Sequence, residues 1–304
     1  MKKILLSVMF VSYLNAIAQY PIQEFNFNGT LNNESNTTSF TGTNDFVADR
    51  YGVAGKAQNL NNRSLEAIID NLPQGNSARS ISIWVKFNNI AAPNYILGYG
   101  SPYNAQYFGL LQQAASSSTS DLSLAGWGAA NDVIVSASLS KGVWYQYTIT
   151  FDGTVSKIYR NGELLKYISG LKRSTKGNVF RLGEINTTVG INADIDDLKI
   201  YNVALTDEQV AAYYDDSKPI IIAVADAVKT TKATTAVKTK TSAKATTSNN
   251  IIANKDINAG SQKIEVYSQG QKIVGDNSMT IDDLPDGTYL LKISNAPSKK
   301  ITSK

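Results

Sequence analysis

Residues 80–87, SISIWVKF, alternate strictly: Ile81, Ile83, Val85 and Phe87 fall on one side, Ser80, Ser82, Trp84 and Lys86 on the other. Successive side chains of a strand point to opposite faces, so a period of two reads as a half-buried strand. The same pattern returns in GVWYQYTITFDG (142–153), where Val143, Tyr145, Tyr147, Ile149 and Phe151 oppose Trp144, Gln146, Thr148 and Thr150. SKIYRNGELLKYI (156–168) holds Asn161-Gly162 between two such runs, the strongest short-range hairpin signal. VFRLGEI (179–185) is a further strand. Many short strands broken by Gly and Asn predict an all-β sandwich.

One stretch is helical. LTDEQVAAYYDD (205–216) has Thr206 followed three residues later by Gln209, a capping box. Val210, Tyr213 and Tyr214 keep helical spacing, so a short helix is expected to close the domain.

INADIDDLKIYNVAL (191–205) poses an electrostatic question. Counting alternately from Leu198 and Ile200 puts Asp196 on their face, and Asp197 on the face of Lys199 and Tyr201. A carboxylate among core residues is costly unless paired. A positive group is therefore expected beside Asp196, and Arg50 in NDFVADR is the protein's own candidate.

The chain has 304 residues, no cysteine and no histidine. That excludes disulfides, Cys–His and Ser–His–Asp nucleophiles and the usual zinc sets. Any metal would need oxygen ligands, which points to calcium or magnesium. Residues 19–218 hold 15 Lys and Arg against 18 Asp and Glu, while 219–304 hold 12 against 7. The basic excess lies in the tail, which argues against a nucleic-acid-binding main domain.

Residues 1–18 read as a signal peptide. Lys2 and Lys3 precede a largely apolar run from Ile4 to Leu14, and Ala16-Ile17-Ala18 is a cleavage site. That run is short for a bilayer, and PIIIAVADAV (219–228) carries Asp226, so no membrane-spanning segment is expected. The main domain then runs over 19–216. Residues 217–250 are dominated by Thr, Lys and Ala, with no acid after Asp226, and read as a flexible linker; a basic surface-binding arm is the alternative. Residues 251–304 return to strand-like patterns, KIEVYSQGQKIV turning near Gln269-Gly270 and MTIDDLPDGTYLLKIS turning at Pro-Asp-Gly. They form a small β-sandwich-like module.

Over about 190 residues the main domain resembles the laminin-G-like, concanavalin A-like lectin/glucanase jelly rolls of secreted bacterial proteins. The resemblance rests on five ordered motifs: FNFNGTLNNES (25–35), FVADRYGVAGKAQNL (46–60), ISIWVKF (81–87), GVWYQYTITFDGTVSKIYRNGELL (142–165) and ADIDDLKIYNVALTDEQVAAYY (193–214). The C-terminal module resembles the type A sorting domain of the Bacteroidetes type IX secretion system through KIEVYSQGQKIV, IDDLPDGTYLLKIS and the basic end KKITSK (299–304). It lacks that family's Tyr-Pro-Asn-Pro-like opening. This second resemblance implies a partner in the type IX machinery and a protein secreted or held on the outer cell surface.

The first resemblance also implies a structural calcium between the closing strand and the N-terminal segment. Its matching ligands here are Asn28, Asn32, Asp45 and Asp196, with a backbone carbonyl at Gly29. Arg50 remains the alternative partner for Asp196. The family places a tryptophan at Trp84 and at Trp144 whatever the ligand, which favours structural roles over sugar stacking. The loop region 98–132 offers Tyr99, Tyr103, Tyr107, Trp127, Asn131 and Asp132, aromatic platforms beside amides and acids that suit a polyhydroxylated ligand. A decorated hairpin without a ligand is the alternative.

Enzyme chemistry has little support. Glycoside hydrolysis uses two carboxylates across one bond. The E-x-D-x-x-E strand of glucanases sharing this jelly roll is absent, and Asp196 and Asp197 are expected to face opposite ways. Three functions follow in order. The first is an exported non-catalytic module binding polysaccharide or a glycan-bearing surface. The second is an adhesin or structural protein binding protein partners, and the third a divergent O-glycosyl hydrolase in carbohydrate metabolism.

Overall fold

The computed structural model describes residues 19–113, 119–224, 262–268, 271–274 and 287–295. The signal-peptide segment 1–18 and most of 217–250 lie outside the described residues. The chain divides into two compact units after Lys218.

The first unit is a two-sheet antiparallel sandwich. Its strands are β1 (Gln23–Phe25), β2 (Phe46–Val47), β3 (Ala57–Asn61), β4 (Leu65–Ile68), β5 (Arg79–Phe87), β6 (Asn94–Gly100), β7 (Tyr107–Gln112) and β8 (Thr119–Ala125). They continue as β9 (Val133–Ser138), β10 (Trp144–Phe151), β11 (Val155–Arg160), β12 (Glu163–Ser169), β13 (Val179–Leu182), β14 (Glu184–Ile185), β15 (Thr188–Val189) and β16 (Asn192–Tyr201). Helix α1 spans Asp207–Ser217. The larger sheet runs β12-β11-β10-β5-β16-β3-β2, with β1 also on β16. The other runs β4-β13-β6-β7-β8-β9. The all-β jelly-roll sandwich expected from the sequence is the observed fold.

The alternation translates directly into the core. Ile81, Ile83, Val85 and Phe87 of β5 and Tyr147, Ile149 and Phe151 of β10 face Phe108, Leu110, Leu122, Leu124, Phe180 and Leu182 of the other sheet in one apolar cluster. Each such side chain, fully buried, contributes about 1.5–3 kcal/mol. Asn161 and Gly162 take φ of 53° and 80° between β11 and β12, both positive as a type I′ turn requires.

Strand β16 departs from simple alternation. Its register against β5 shifts between Asp196 and Lys199, where Asp197 takes φ 44°. Ala193 and Ile195 before the bulge and Leu198 and Ile200 after it all reach the core. Asp196 pairs across with Trp84 and so stands on the opposite face, not with Leu198 and Ile200 as counting predicted. A bulge inserts one residue and inverts the phase beyond it.

Helix α1 covers that opposite face. Its capping box is formed: Thr206 accepts from the Gln209 amide at 3.2 Å and its own amide donates to Gln209 Oε1 at 2.9 Å. Trp84 stacks on Tyr214 with ring centroids 5.8 Å apart and is 2% exposed, so its role is structural. Trp144 is half-buried, with Lys86 Nζ 5.3 Å from its ring centre.

In the second unit β17 (Ile220–Val224), β18 (Gln262–Ser268), β19 (Gln271–Val274) and β20 (Gly287–Asn295) form one antiparallel sheet, ordered β17-β20-β18-β19. The linker expected at 217–250 is thus shorter. Ser217 is helical, and Ile220–Val224 pairs with β20. The run IIIAV has the β-branched composition of a strand, which the Thr/Lys/Ala-rich sequence after it obscures. The turns at Gln269-Gly270 and Pro285-Asp286 lie outside the described residues.

Candidate ligand-binding site

The charge question at Asp196 has a protein answer. Arg50 Nη1 donates to Asp196 Oδ2 and Nη2 to Asp197 Oδ2, each at 2.6 Å. Its Nε donates to the Ser217 carbonyl at 2.8 Å. The guanidinium lies 4.7 Å from the ring centres of both Tyr51 and Trp84. Burial opposes the Arg50 charge, but Asp197 and Asp196 outweigh it and hold the guanidinium above its ordinary range. Burial, reinforced by Asp197, pushes the Asp196 carboxyl well above the usual carboxylate range, against the pull of Arg50. The two aspartates therefore do not face apart as expected: the bulge brings both onto one arginine. Both carboxylates are held side by side on one buried guanidinium, with Asp196 only 4% exposed in its side chain, so they do not stand as two carboxylates across an open groove.

The set named for calcium does not fit this centre. The Asp196 oxygens are taken by Arg50 and by the Asp197 amide at 2.8 Å. Asp45 faces Arg63 at 3.6 Å. Asn32 donates to Asn36 at 3.2 Å, and Asn28 is exposed. Calcium needs six to eight converging oxygens; Asp196, Asp45 and Asn32 serve three separate partners.

The six candidate ligand residues between 99 and 132 lie at one end of the sandwich and divide into two groups. Tyr99 and Tyr107, expected at a ligand surface, are instead 1% and 4% exposed and pack inside the sandwich. Tyr99 Oη donates to the Pro73 carbonyl at 2.7 Å and accepts from Arg79 at 2.9 Å. Burial pushes its hydroxyl up to about 12. The Tyr107 ring lies across Gly98 and Gly109, where an added Cβ would meet it at 2.1 and 2.6 Å. The other four stay nearer the surface. Tyr103 is 66% exposed and Trp127 is half-buried, its ring edge-on to Tyr107. Asn131 donates to Asn104 Oδ1 at 2.6 Å and to the Trp127 carbonyl at 3.0 Å, and Asp132 accepts from the Gly126 amide at 2.7 Å. Those polar groups staple the 126–132 loop to itself and to the 101–106 turn.

The other end of the sandwich carries groups that are not so used. Gly100 pairs with Tyr107 and Asn94 with Gln112, so the 101–106 turn and the 88–93 loop leave opposite ends of β6. Beside that loop lies a cleft of about 290 Å³, lined among others by Asn62, Asn89, Tyr95, Thr188, Val189 and Asn192. Its frame is fixed by backbone bonds. Tyr95 donates to the Gly190 carbonyl at 2.7 Å and Asn62 to the Ile191 carbonyl at 2.8 Å. Asn94 accepts from the Asn192 amide at 2.7 Å and donates to the Asn89 carbonyl at 2.8 Å. Among the described residues, the side-chain amides of Asn62 and Asn192 and the hydroxyls of Tyr95 and Thr188 make no hydrogen bond to the protein. They can turn to a ligand without breaking anything. No residue at this end was expected from the sequence to bind a ligand; the one signal is the asparagine density of FNNIAAPN (87–94) and INTTVGIN (185–192).

The profile of the concanavalin A-like lectin/glucanases superfamily matches residues 59–211. Among curated proteins none matches the sequence. Among solved structures the chain is similar to domain 4 of AbnA, an extracellular arabinanase from Geobacillus stearothermophilus solved in complex with arabinotriose. The TM-score is 0.52 at 22% identity, over 64% of this chain and 97% of that one. It is also similar to the receptor-binding domain of botulinum neurotoxin D, with TM-score 0.50 at 15% identity. That match covers 64% of this chain and spans about half, 52%, of the toxin domain. At these identities the likeness is one of fold.

Proposed function

The chain belongs to the concanavalin A-like lectin/glucanases superfamily, and on that premise we propose that it is an exported, non-catalytic module that binds carbohydrate through the cleft beside β6. The observation that carries this reading is the cleft's chemistry. Free amides and hydroxyls on a rigid frame, next to a tyrosine ring, complement a ligand that is rich in hydroxyls and apolar on its ring faces. Fold alone does not name a function, but the fold neighbours include a domain solved with arabinotriose and a receptor-binding domain, both binding units. Tyr103 and Trp127, at the far end, are available as a second contact.

Export to the medium or outer surface is supported by Lys2, Lys3 and the Ala16-Ile17-Ala18 site. The resemblance of residues 251–304 to a type IX sorting domain supports delivery by that machinery. Adhesion to a protein partner is a second reading, favoured by edge strand β12, where Leu164 and Tyr167 are exposed beside α1.

The test is binding of the purified full chain to a glycan array, with release of reducing ends measured in parallel. Saturable binding without release, weakened in Tyr95→Ala, is expected. Reducing-end release would replace the reading with hydrolysis. A folded chain that binds no glycan would leave the protein-binding reading in its place.

A further inference from the structure

The lining of the cleft holds no charged side chain. Its polar side chains are all amides and hydroxyls, and the ionic groups nearest in sequence are already paired. Asp194 faces Lys86 at 2.6 Å, Arg63 faces Asp45 at 3.6 Å and Glu184 faces Arg181 at 3.5 Å. An ionised ligand group entering here would lose its water and find no counter-charge, which is strongly unfavourable. A neutral ring loses only hydroxyl-to-water bonds, which amides replace.

One wall is apolar. Pro93 and Val189 line it, and the Tyr95 ring lies against Gly190, where an added Cβ would stand 2.9 Å from Tyr95 Cε2. Only glycine lets the ring settle there. A sugar ring offers the matching pair of surfaces, a C–H face for tyrosine and a rim of hydroxyls for asparagine. The volume, about 290 Å³, is at the small end of the roughly 300–1,000 Å³ of small-molecule pockets. That accommodates one or two rings and not a long run of them.

We propose that the cleft reads an uncharged sugar unit at the end of a glycan chain, with Tyr95 as the stacking platform and Asn62 and Asn192 as the readers of its hydroxyls. This rests on the carbohydrate reading above and narrows it to a ligand class.

The experiment uses the full chain and three probe sets: linear neutral hexasaccharides, uronate or sulfated oligosaccharides of similar length, and cyclodextrins, which have no ends. Neutral linear probes should bind, and charged and cyclic probes should bind at least tenfold more weakly. Raising sodium chloride tenfold should leave the affinity unchanged, because no ion pair forms. Asn192→Ala and Asn62→Gly should each weaken binding roughly three- to tenfold; glycine is used at 62 because φ there is 51°. Gly190→Ala should weaken it by displacing the Tyr95 ring, with the melting temperature recorded for every variant. Equal or tighter binding of charged or cyclic probes, or neutral binding untouched by all three variants, overturns the proposal while carbohydrate binding stands. Failure of every probe to bind a folded chain overturns both.

Discussion

Arg50 Nη1 holds Asp196 Oδ2 at 2.6 Å across 146 positions of sequence, and the same guanidinium holds Asp197 at the same distance. Both members of the first pair have side chains only 4% exposed. Removing one member of such a pair strands a buried charge, at about 3–5 kcal/mol. Arg50→Leu should therefore lower the urea midpoint sharply. Adding Asp196→Leu should restore much of that loss, because an apolar pair of similar volume replaces an ionic one. A double variant no more stable than Arg50→Leu would show that the arginine acts through Ser217 and Trp84 instead.

The Asn161-Gly162 turn lies under helix α1. A Cβ on Gly162, at φ 80°, would come within 3.1 Å of Ala211 Cα and 3.2 Å of Tyr214 Cβ. Gly162→Ala therefore combines left-handed strain of roughly 1 kcal/mol or more with displacement of the helix. Its unfolding midpoint should fall by more than that of Gly170→Ala, where φ is 84° and nothing stands within 4 Å. Equal losses would mean that the helix yields freely.

Asp207 opens α1 and is bonded to Lys157 Nζ at 2.5 Å and to Tyr159 Oη at 2.7 Å. The Lys157 bond first, then Tyr159, holds its carboxyl below the ordinary range. A carboxylate depressed in the folded state contributes stability above its unfolded value, near 3.9, and loses it as pH falls through and below that value. The group is half exposed, so the contribution is under about 1 kcal/mol. The gap in urea midpoint between wild type and Asp207→Asn should be full at about pH 6 and shrink steadily below about pH 4. A gap independent of pH would assign the effect to the geometry of the Lys157 and Tyr159 hydrogen bonds and not to the charge of Asp207.

Because Arg50 supplies the cation at Asp196, chelation should leave the fold untouched. The melting temperature of the full chain in millimolar EDTA is expected to match that in millimolar calcium. A drop of several degrees in EDTA would reveal oxygens elsewhere that gather a metal.

How far the sequence could be read depended on whether local pattern or chain pairing decided the matter. Strands β5, β10 and β11, the turn at Asn161-Gly162 and the cap at Thr206 are set by neighbours in sequence, and each stands where pattern put it. The bulge at Asp196-Asp197 is set by pairing with β5, and nothing in INADIDDLKIY announces it; aspartate is merely one of the residues that tolerate positive φ. The error in the face of Asp196 follows. Its need for a positive partner was legible from charge, but the choice between Arg50 and calcium was not, because it is set by a contact across 146 positions of sequence. Tyr99 and Tyr107 look like surface aromatics in a loop-rich stretch. Their burial comes from Arg79 and from paired glycines on neighbouring strands, which no single segment reveals. The cleft is assembled from three separated segments, and only the asparagine content of two of them hinted at it.

Ser217, the last residue of α1, receives Arg50 and Tyr51 on its carbonyl, each at 2.8 Å, and Trp84 and Gln146 on its hydroxyl at 3.3 and 3.1 Å. Trp84 and Gln146 sit on adjacent central strands of the larger sheet. The chain thus leaves the sandwich from a knot tied to its middle, not from a frayed helix end. A pull on the chain beyond Lys218 would reach β5, β10 and the Arg50-Tyr51 segment through four hydrogen bonds at Ser217, and not α1 alone.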